Sequence, residues 1–471
     1  MEIQLDRHSQ TTLFEQIYTR MLDRMYQGEW PPGTKLPSQR KLAEQLGVNR
    51  STIIDVLDEL KAEGWLESKT GSGTYVAHNS WQTLFPRQYH WKERIRAGIH
   101  QPNLQTIQLI NEYETKEIIR LGTGELSPSL LPTKQLEEVL QSILLDPRTI
   151  GYSEPKGHKA LRHAVAVHLQ KRGIQTSPDC ILIVSGALQA LQLISLGLLP
   201  QHSTIYYEAP SYIESLHLFQ SAGMRLSRLR SGAENITYSK SQKHGLFYTI
   251  PTLNNPSGTI LTEAERHDLY QHWTNLQIPI VEDDVYNELA FSAIPPAIKS
   301  VDTAGNVLYL GSLSKTVSPG LRIGWVVAPE PVVDRLADIK MQFDYGASSF
   351  SQLLAATWLA SPHHETHMQQ LRENLQQRAT FMDALLVKHF HNIAVWQKPK
   401  GGFYIWLRFH QPLVTKALFL KLLQKGVLLH PGYLYDRDNH HHLRLSFAYA
   451  SLPELEKGID LLAQTVKAMT T

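Results

Sequence analysis

Between residues 118 and 471 the chain keeps returning to one pattern, a short apolar run of strand length followed by a helical segment. The runs include Cys180–Val184, Thr204–Tyr207, Gly245–Ile250, Ile278–Val281 and Val307–Leu310. Runs this apolar read as strands buried inside a sheet, and their alternation with helices argues for an α/β domain with a mostly parallel sheet. Such sheets bind ligands at the carboxyl ends of their strands. The side chains with chemistry to offer fall at those ends.

Ser185-Gly186-Ala187 follows a buried strand and opens a leucine- and alanine-rich helix, which makes its free N–H groups an anion site. Tyr212 lies beyond the next strand, where its ring can stack on a flat ligand. Asn255-Pro-Ser-Gly258 supplies an amide in a rigid turn. Glu282-Asp-Asp-Val-Tyr286 ends a further strand and sets Asp283 three positions before Tyr286. Ser312-Leu-Ser314-Lys315 and Arg322 give a lysine preceded by hydroxyls and followed by a guanidinium. Each piece alone is weak: Ser-x-x-Lys also occurs in serine acylases, and an Asp–Tyr pair usually closes a strand. In this order they form the inventory a pyridoxal cofactor needs, namely a lysine amine, a carboxylate for the ring nitrogen, donors to the phenolic oxygen and a phosphate cradle.

The first 77 residues are of another kind. Leu13, Ile17, Met21 and Met25 share one face of an amphipathic helix, with Phe14, Tyr18 and Leu22 beside them. Ser38 is placed to cap a short helix that buries Leu42, Ala43 and Leu46 and stops at Gly47. Asn49 is placed to cap a second, with Ile53, Val56, Leu57 and Leu60 inward. Two short helices so closely spaced are the helix-turn-helix arrangement. Arg50, Ser51 and Thr52 occupy the first turn of the second helix, where an arginine can read a guanine edge and the hydroxyls suit phosphate. Trp65–Lys69, a Thr70-Gly71-Ser72-Gly73 turn and Thr74–Val76 read as a hairpin wing carrying Lys69. Residues 1–76 hold nine basic against eleven acidic side chains. That balance favours the competing reading, a protein-interaction module of the same shape. Against it, Lys35, Arg40, Lys41, Arg50 and Lys69 can share one face.

The runs Leu36-Pro-Ser-Gln-Arg-Lys-Leu-Ala43, Leu46-Gly-Val-Asn-Arg-Ser-Thr52 and Gly71-Ser-Gly-Thr-Tyr-Val76 resemble the GntR family of DNA-binding domains across residues 10–77. The resemblance implies operator contacts from Arg40, Arg50, Ser51, Thr52 and the wing glycines Gly71 and Gly73, to which Lys35, Ser38 and Lys69 are added as candidates. Asn49 departs from the serine of many relatives but retains the capping chemistry. The second motif set resembles the class I, fold-type I aminotransferases over roughly residues 118–466. That resemblance implies a Schiff base between Lys315 and pyridoxal 5'-phosphate, with Asp283 on the ring nitrogen and Asn255 with Tyr286 on the phenolic oxygen. Tyr212 would stack on the ring, and Ser185, Gly186, Ala187, Ser312, Ser314 and Arg322 would hold the phosphate. Tyr152 would reach the partner subunit's phosphate, and Arg444 would take the carboxylate of an amino-acid ligand, with a surface ion pair as the plainer alternative.

The joined architecture resembles the MocR/GabR-type regulators. It predicts a small α+β winged helix-turn-helix (1–77), a linker (78–117) with net positive charge and a short helix near Trp91, and a large α/β aminotransferase-like domain (118–471) for effector binding and dimerisation. The expected function is a homodimeric regulator that binds a double-stranded operator and senses pyridoxal phosphate or an amino compound through an external aldimine. The alternative is a working aminotransferase with an accessory N-terminal domain. A single cysteine, Cys180, and an N-terminus without signal-peptide layout predict a cytoplasmic protein. Of two histidine groups, His363–His367 fails the spacing of a zinc-protease helix motif and His440–His442 reads as an exposed polar loop, so no metal is expected.

Overall fold

The structure, a computed structural model, describes residues 5–7, 9, 11–26, 29–31, 33–69, 72–77, 103–147, 151–229 and 245–470. It divides into two compact units, Met1–Gly98 and Ile99–Thr471. No described helix is long and apolar enough to cross a membrane. The segment around Trp91, and Gly71 in the wing, lie outside the described residues.

In the first unit, α1 (Leu13–Tyr26), α2 (Gln39–Leu46) and α3 (Arg50–Ala62) are followed by a hairpin of β1 (Leu66–Lys69) and β2 (Gly73–Val76). Ile17, Met21, Leu42, Ile53, Val56, Leu57 and Leu60 form one core with Trp65 and Val76. The turn between α2 and α3 works because Gly47 sits in the left-handed region at φ 61°, returning its N–H to Ala43 and Glu44. The Ser38 hydroxyl accepts from the Lys41 N–H, as its position predicts. Asn49 occupies the cap position of α3, but its side chain makes no capping bond.

The second unit opens with α4 (Gln105–Tyr113). This helix lies within the segment read as linker. Its nine residues are too few to show a sustained period in sequence, yet Ile110 is buried and Ile107, Leu109 and Tyr113 pack on the same core.

The main sheet has seven strands: β3 (Ile181–Val184), β4 (Thr204–Glu208), β5 (Arg225–Leu229), β6 (Gly245–Thr249), β7 (Ile280–Asp283), β8 (Val307–Ser312) and β9 (Gly324–Val327). Their spatial order is β3-β9-β8-β7-β6-β4-β5. β9 runs antiparallel to both neighbours and the other pairs are parallel. Both faces are covered, which explains the unbroken apolar runs: Leu182 and Val184 of β3 enter one core, Ile181 and Ile183 another. The helix α5 (Ala187–Gly197) leaves directly from the end of β3, and the long α6 (Pro362–Phe390) leads to a second, four-stranded sheet. That sheet carries β10 (Tyr404–Phe409) paired with β11 (His442–Ser446), which places Tyr404 and Arg444 toward the ends of the main-sheet strands.

Candidate functional site

A cavity of about 510 Å³ lies where β3, β7 and β8 end, bounded by α4 on one side and the second sheet on the other. Its wall includes Gly186, Ala187, Tyr212, Asn255, Asp283, Tyr286, Ser312, Ser314, Lys315, Arg322 and Arg444. Residues far apart in sequence are thus brought to one space because strand ends gather on one edge of a parallel sheet.

At one end is a cradle for an anion. Gly186 begins α5 at φ 92°, and a Cβ there would lie 3.0 Å from Arg322 Nη2. That φ favours glycine, and no side chain stands between this backbone and the guanidinium. Arg322 itself holds a left-handed φ of 52° and donates to the Ser185 carbonyl at 2.7 Å. Ser312 Oγ donates to the Ile323 carbonyl and lies 3.0 Å from Ser314 Oγ. Ser185 does not line the cavity: its N–H is taken by Gln189 Oε1 and its carbonyl by Arg322.

At the centre, the Lys315 ammonium donates to the Gly124 carbonyl at 2.6 Å and stands 5.8 Å from the centre of the Tyr286 ring. Among the described residues it is the one lysine in the cavity wall. Asp283 is 3% exposed; its Oδ2 accepts from the Tyr248 hydroxyl at 2.8 Å, while its Oδ1 is buried with no hydrogen-bond partner among the described residues. Burial raises this carboxyl to about 6, with Asp284 adding to the rise and Tyr248, the Val285 N–H and Lys315 opposing it. Burial and then the charge of Asp283 push the Tyr212 phenol up. The Tyr286 hydroxyl lies 3.1 Å from that of Tyr404.

Arg444 is 4% exposed, which removes the surface ion pair as its role. Its Nη1 donates to Asn255 Oδ1 at 2.9 Å and its Nη2 to the Gly122 carbonyl at 2.6 Å, with the rings of Tyr404 and Tyr435 over the guanidinium. Tyr152 is not brought to this cavity. It is 86% exposed and packs against Tyr345.

Sequence reasoning missed Gly124, Tyr248, Tyr404, His430 and Glu114. Tyr248 carried a signal, since a tyrosine inside a buried strand needs a partner for its hydroxyl. The others sit where only the packing of distant segments makes them neighbours.

A second histidine group assembles outside the cavity, from His364 on α6, His168 and Glu288, with ligand-type atoms within 4.8 Å of one another. Hydrogen-bond roles decide its nature. The Trp358 indole N–H, a donor only, reaches His364 Nδ1 at 2.9 Å, so the neutral ring carries its proton on Nε2 and donates it to Glu288 Oε1 at 2.9 Å. A nitrogen so protonated has no lone pair for a metal. Although burial opposes it, the nearby His168 and the His364 hydrogen bond hold the Glu288 carboxyl down to about 2. Glu288→Ala strands a buried donor and is expected to cost about 1–3 kcal/mol, read from the urea midpoint. An unchanged midpoint would make the network neutral for stability.

In the first unit, Lys35, Arg40, Arg50, Ser51 and Lys69 are exposed, as are Ser38 and Gly73 to differing degrees. Arg50 reaches Gln39 Oε1 at 3.4 Å, and Thr52 is half-buried. Tyr75, not singled out by sequence, gathers the wing cations: Lys69 Nζ lies 5.0 Å and Lys35 Nζ 5.8 Å from its ring centre, and its hydroxyl is 2.6 Å from Ser72 Oγ. On the later turns of α3 the exposed Asp58 pairs with Lys61 at 3.0 Å, whereas Arg50 in the first turn has no acidic neighbour in that turn.

Fold and cavity together define an aminotransferase-like domain of fold type I preceded by a winged helix. Residues 116–462 match the class I and II aminotransferase family, and residues 13–76 match the gntR family of bacterial regulatory proteins. The HTH-type transcriptional regulator YisV of Bacillus subtilis is 47% identical, with 99% of this chain and 98% of YisV covered. The HTH-type transcriptional regulator NorG of Staphylococcus aureus is 36% identical, covering 92% and 99%. Kynurenine aminotransferase of Pyrococcus horikoshii superposes with a TM-score of 0.74 at 29% identity, over 81% of this chain and 98% of its own. The α-aminoadipate aminotransferase LysN of Thermus thermophilus gives 0.70 at 27%, over 81% and 99%. The chain belongs to the family of HTH-type transcriptional regulators that join a GntR winged helix to a class I aminotransferase domain, the MocR/GabR arrangement.

Proposed function

We propose that this regulator binds pyridoxal 5'-phosphate at Lys315 and uses the loaded cavity to sense the cofactor itself or an amino compound, changing its hold on a double-stranded operator. The observation that carries this reading is the buried, unpartnered Asp283 Oδ1 on a residue that lines the same cavity as Lys315 and the Gly186–Arg322 cradle. A buried carboxylate oxygen without a donor is costly unless a ligand supplies one. A protonated ring nitrogen is such a donor. The related kynurenine aminotransferase structure holds the amine form of this cofactor, which agrees with the fit.

When bound, the cofactor supplies an electrophilic carbonyl and an electron-withdrawing ring. The chain's own residues do the rest. Lys315 offers the amine, Asp283 keeps a proton on the ring nitrogen, Asn255 and Tyr286 face the phenolic oxygen, and Tyr212 covers a ring face. The N-terminus of α5 with Ser312, Ser314 and Arg322 takes the phosphate, and Arg444 takes a ligand carboxylate. The exposed Tyr152 is assigned to a partner subunit's phosphate, which makes the active form a homodimer in the cytoplasm with two winged helices for two half-sites.

The test is titration of the full chain with DNA from its own upstream region, with and without pyridoxal phosphate. Cofactor-dependent, sequence-specific binding supports the reading. Cofactor uptake with no specific DNA binding, and turnover of an amino acid at about 1 s⁻¹ or faster, would favour the aminotransferase reading that the complete cavity also permits. Arg50→Ala is expected to weaken operator binding by about 1–3 kcal/mol and to relax preference at one base. A uniform loss over all sequences would instead make Arg50 a phosphate contact.

A further inference from the structure

The carboxylate site at Arg444 is not open as it stands. A guanidinium has five N–H donors. Arg444 gives one to Asn255 Oδ1 from Nη1, and from Nη2 one to the Gly122 carbonyl and one to His430 Nδ1 at 2.9 Å. Both Nη2 hydrogens are therefore in use. Each two-pronged face of a guanidinium, whether Nη1 with Nη2 or Nε with Nη2, needs one of them. The Nε–H is buried with no partner among the described residues, so one prong waits while the other is held.

Of the two groups on Nη2, Gly122 contributes a main-chain carbonyl, and His430 a side chain. Because arginine only donates, the Nδ1 of His430 must be an acceptor and the ring proton sits on Nε2. That Nε2 is itself buried with no hydrogen-bond partner among the described residues, and Glu114 Oε1 lies 3.9 Å away. Glu114 Oε1 is fixed by the Thr123 hydroxyl at 2.9 Å. The other titratable group on the imidazole is the Tyr435 hydroxyl, 3.0 Å from Nδ1; Gly122 packs so closely that a Cβ there would meet the ring at 2.4 Å.

We propose that His430 is a displaceable, proton-taking partner of this site: an arriving carboxylate takes over the Arg444 hydrogen that the imidazole accepts, and the freed ring gains a proton from solvent and is held by Glu114. The inference rests on the reading of Arg444 as the ligand-carboxylate residue. Burial, and after it the Arg444 cation, hold His430 down to about 4, with Glu114 pulling the other way. A bound carboxylate cancels the Arg444 contribution and adds a second anion beside the ring, so proton affinity rises on binding. By linkage, carboxylate binding then strengthens as pH falls and levels off at high pH.

The experiment is calorimetric titration of the full chain, loaded with pyridoxal phosphate, with propionate. It is run at pH 6 and pH 8, each in two buffers of different ionisation enthalpy. The wild type is expected to take up a proton at pH 6 and to bind several-fold more tightly there than at pH 8, with about tenfold per pH unit as the limit for one proton. His430→Asn is expected to bind with no buffer dependence and equal affinity at both pH values. Glu114→Gln is expected to lower the proton uptake, and it reads the same coupling if His430→Asn does not fold. A wild type without proton uptake, or a His430→Asn variant that keeps it, overturns the inference and leaves the Arg444 reading intact. Propionate that fails to bind, or binds Arg444→Lys as tightly as the wild type, removes the Arg444 reading and this inference with it.

Discussion

Lys315→Ala is expected to abolish covalent attachment of pyridoxal phosphate. Wild-type protein treated with cofactor and borohydride should gain one cofactor mass on the peptide holding Lys315 and show a new absorbance band, and the variant should show neither. The expectation is all-or-none because, among the described residues, no other lysine lines the cavity. A second buried amine, Lys340, donates to the Ile183 carbonyl, and burial lowers it to about 8. It is 1% exposed and does not line the site, so it is expected to stay unlabelled in both proteins. Labelling of Lys340 in the variant, or an unchanged band, would move the attachment point. Thermal unfolding gives a second readout: cofactor at a hundred times its Kd stabilises the wild type by about 2.7 kcal/mol, and the variant should keep only the share due to the phosphate cradle.

Asp283→Asn is expected to weaken cofactor binding by about a hundredfold or more, since it replaces a buried charge-assisted contact of about 3 kcal/mol by a neutral one. Asparagine can still accept from Tyr248, so the fold should stand. A pH signature separates this role from a structural one. The Asp283 carboxyl is raised to about 6 against an ordinary 3.8. A carboxyl raised on folding contributes stability that is full below its ordinary value and is lost as pH rises through about 6. Without a cation beside it, Asp283 therefore favours the folded chain more at pH 5 than at pH 7.5. A ring cation removes that handicap, so the cofactor-induced rise in Tm should be larger at pH 7.5, and Asp283→Asn should flatten the difference. Tight cofactor binding by the asparagine variant would give Asp283 a different task.

Much of this site is legible in the amino-acid sequence, for reasons specific to each residue. Gly186, Asp283 and Lys315 follow recognisable apolar runs, and strand ends in a parallel sheet converge, so sequence order translates into a shared location; Ser185, read from the same run, has its backbone groups taken by Gln189 and Arg322 instead. Ser38 and Gly47 likewise announce the ends of α2 through capping and left-handed geometry. The residues that escaped have contacts set by tertiary packing. Gly124 comes to Lys315 across 191 positions of sequence, and His430 meets Arg444 through the pairing of two strands of the second sheet. Helix α4 escaped because a nine-residue element flanked by polar linker leaves too short a period to stand out. Asn49 shows the opposite error, a residue of the right type at the cap position whose side chain makes no capping bond.

Helix α4 also has a mechanical meaning. Asn103, Ile107, Ile110, Asn111 and Glu114 all face the cavity, and they are among the first described residues after the segment that leads from the DNA-reading unit. On the reading proposed above, an occupant of the chamber touches the helix that directly follows that segment in sequence.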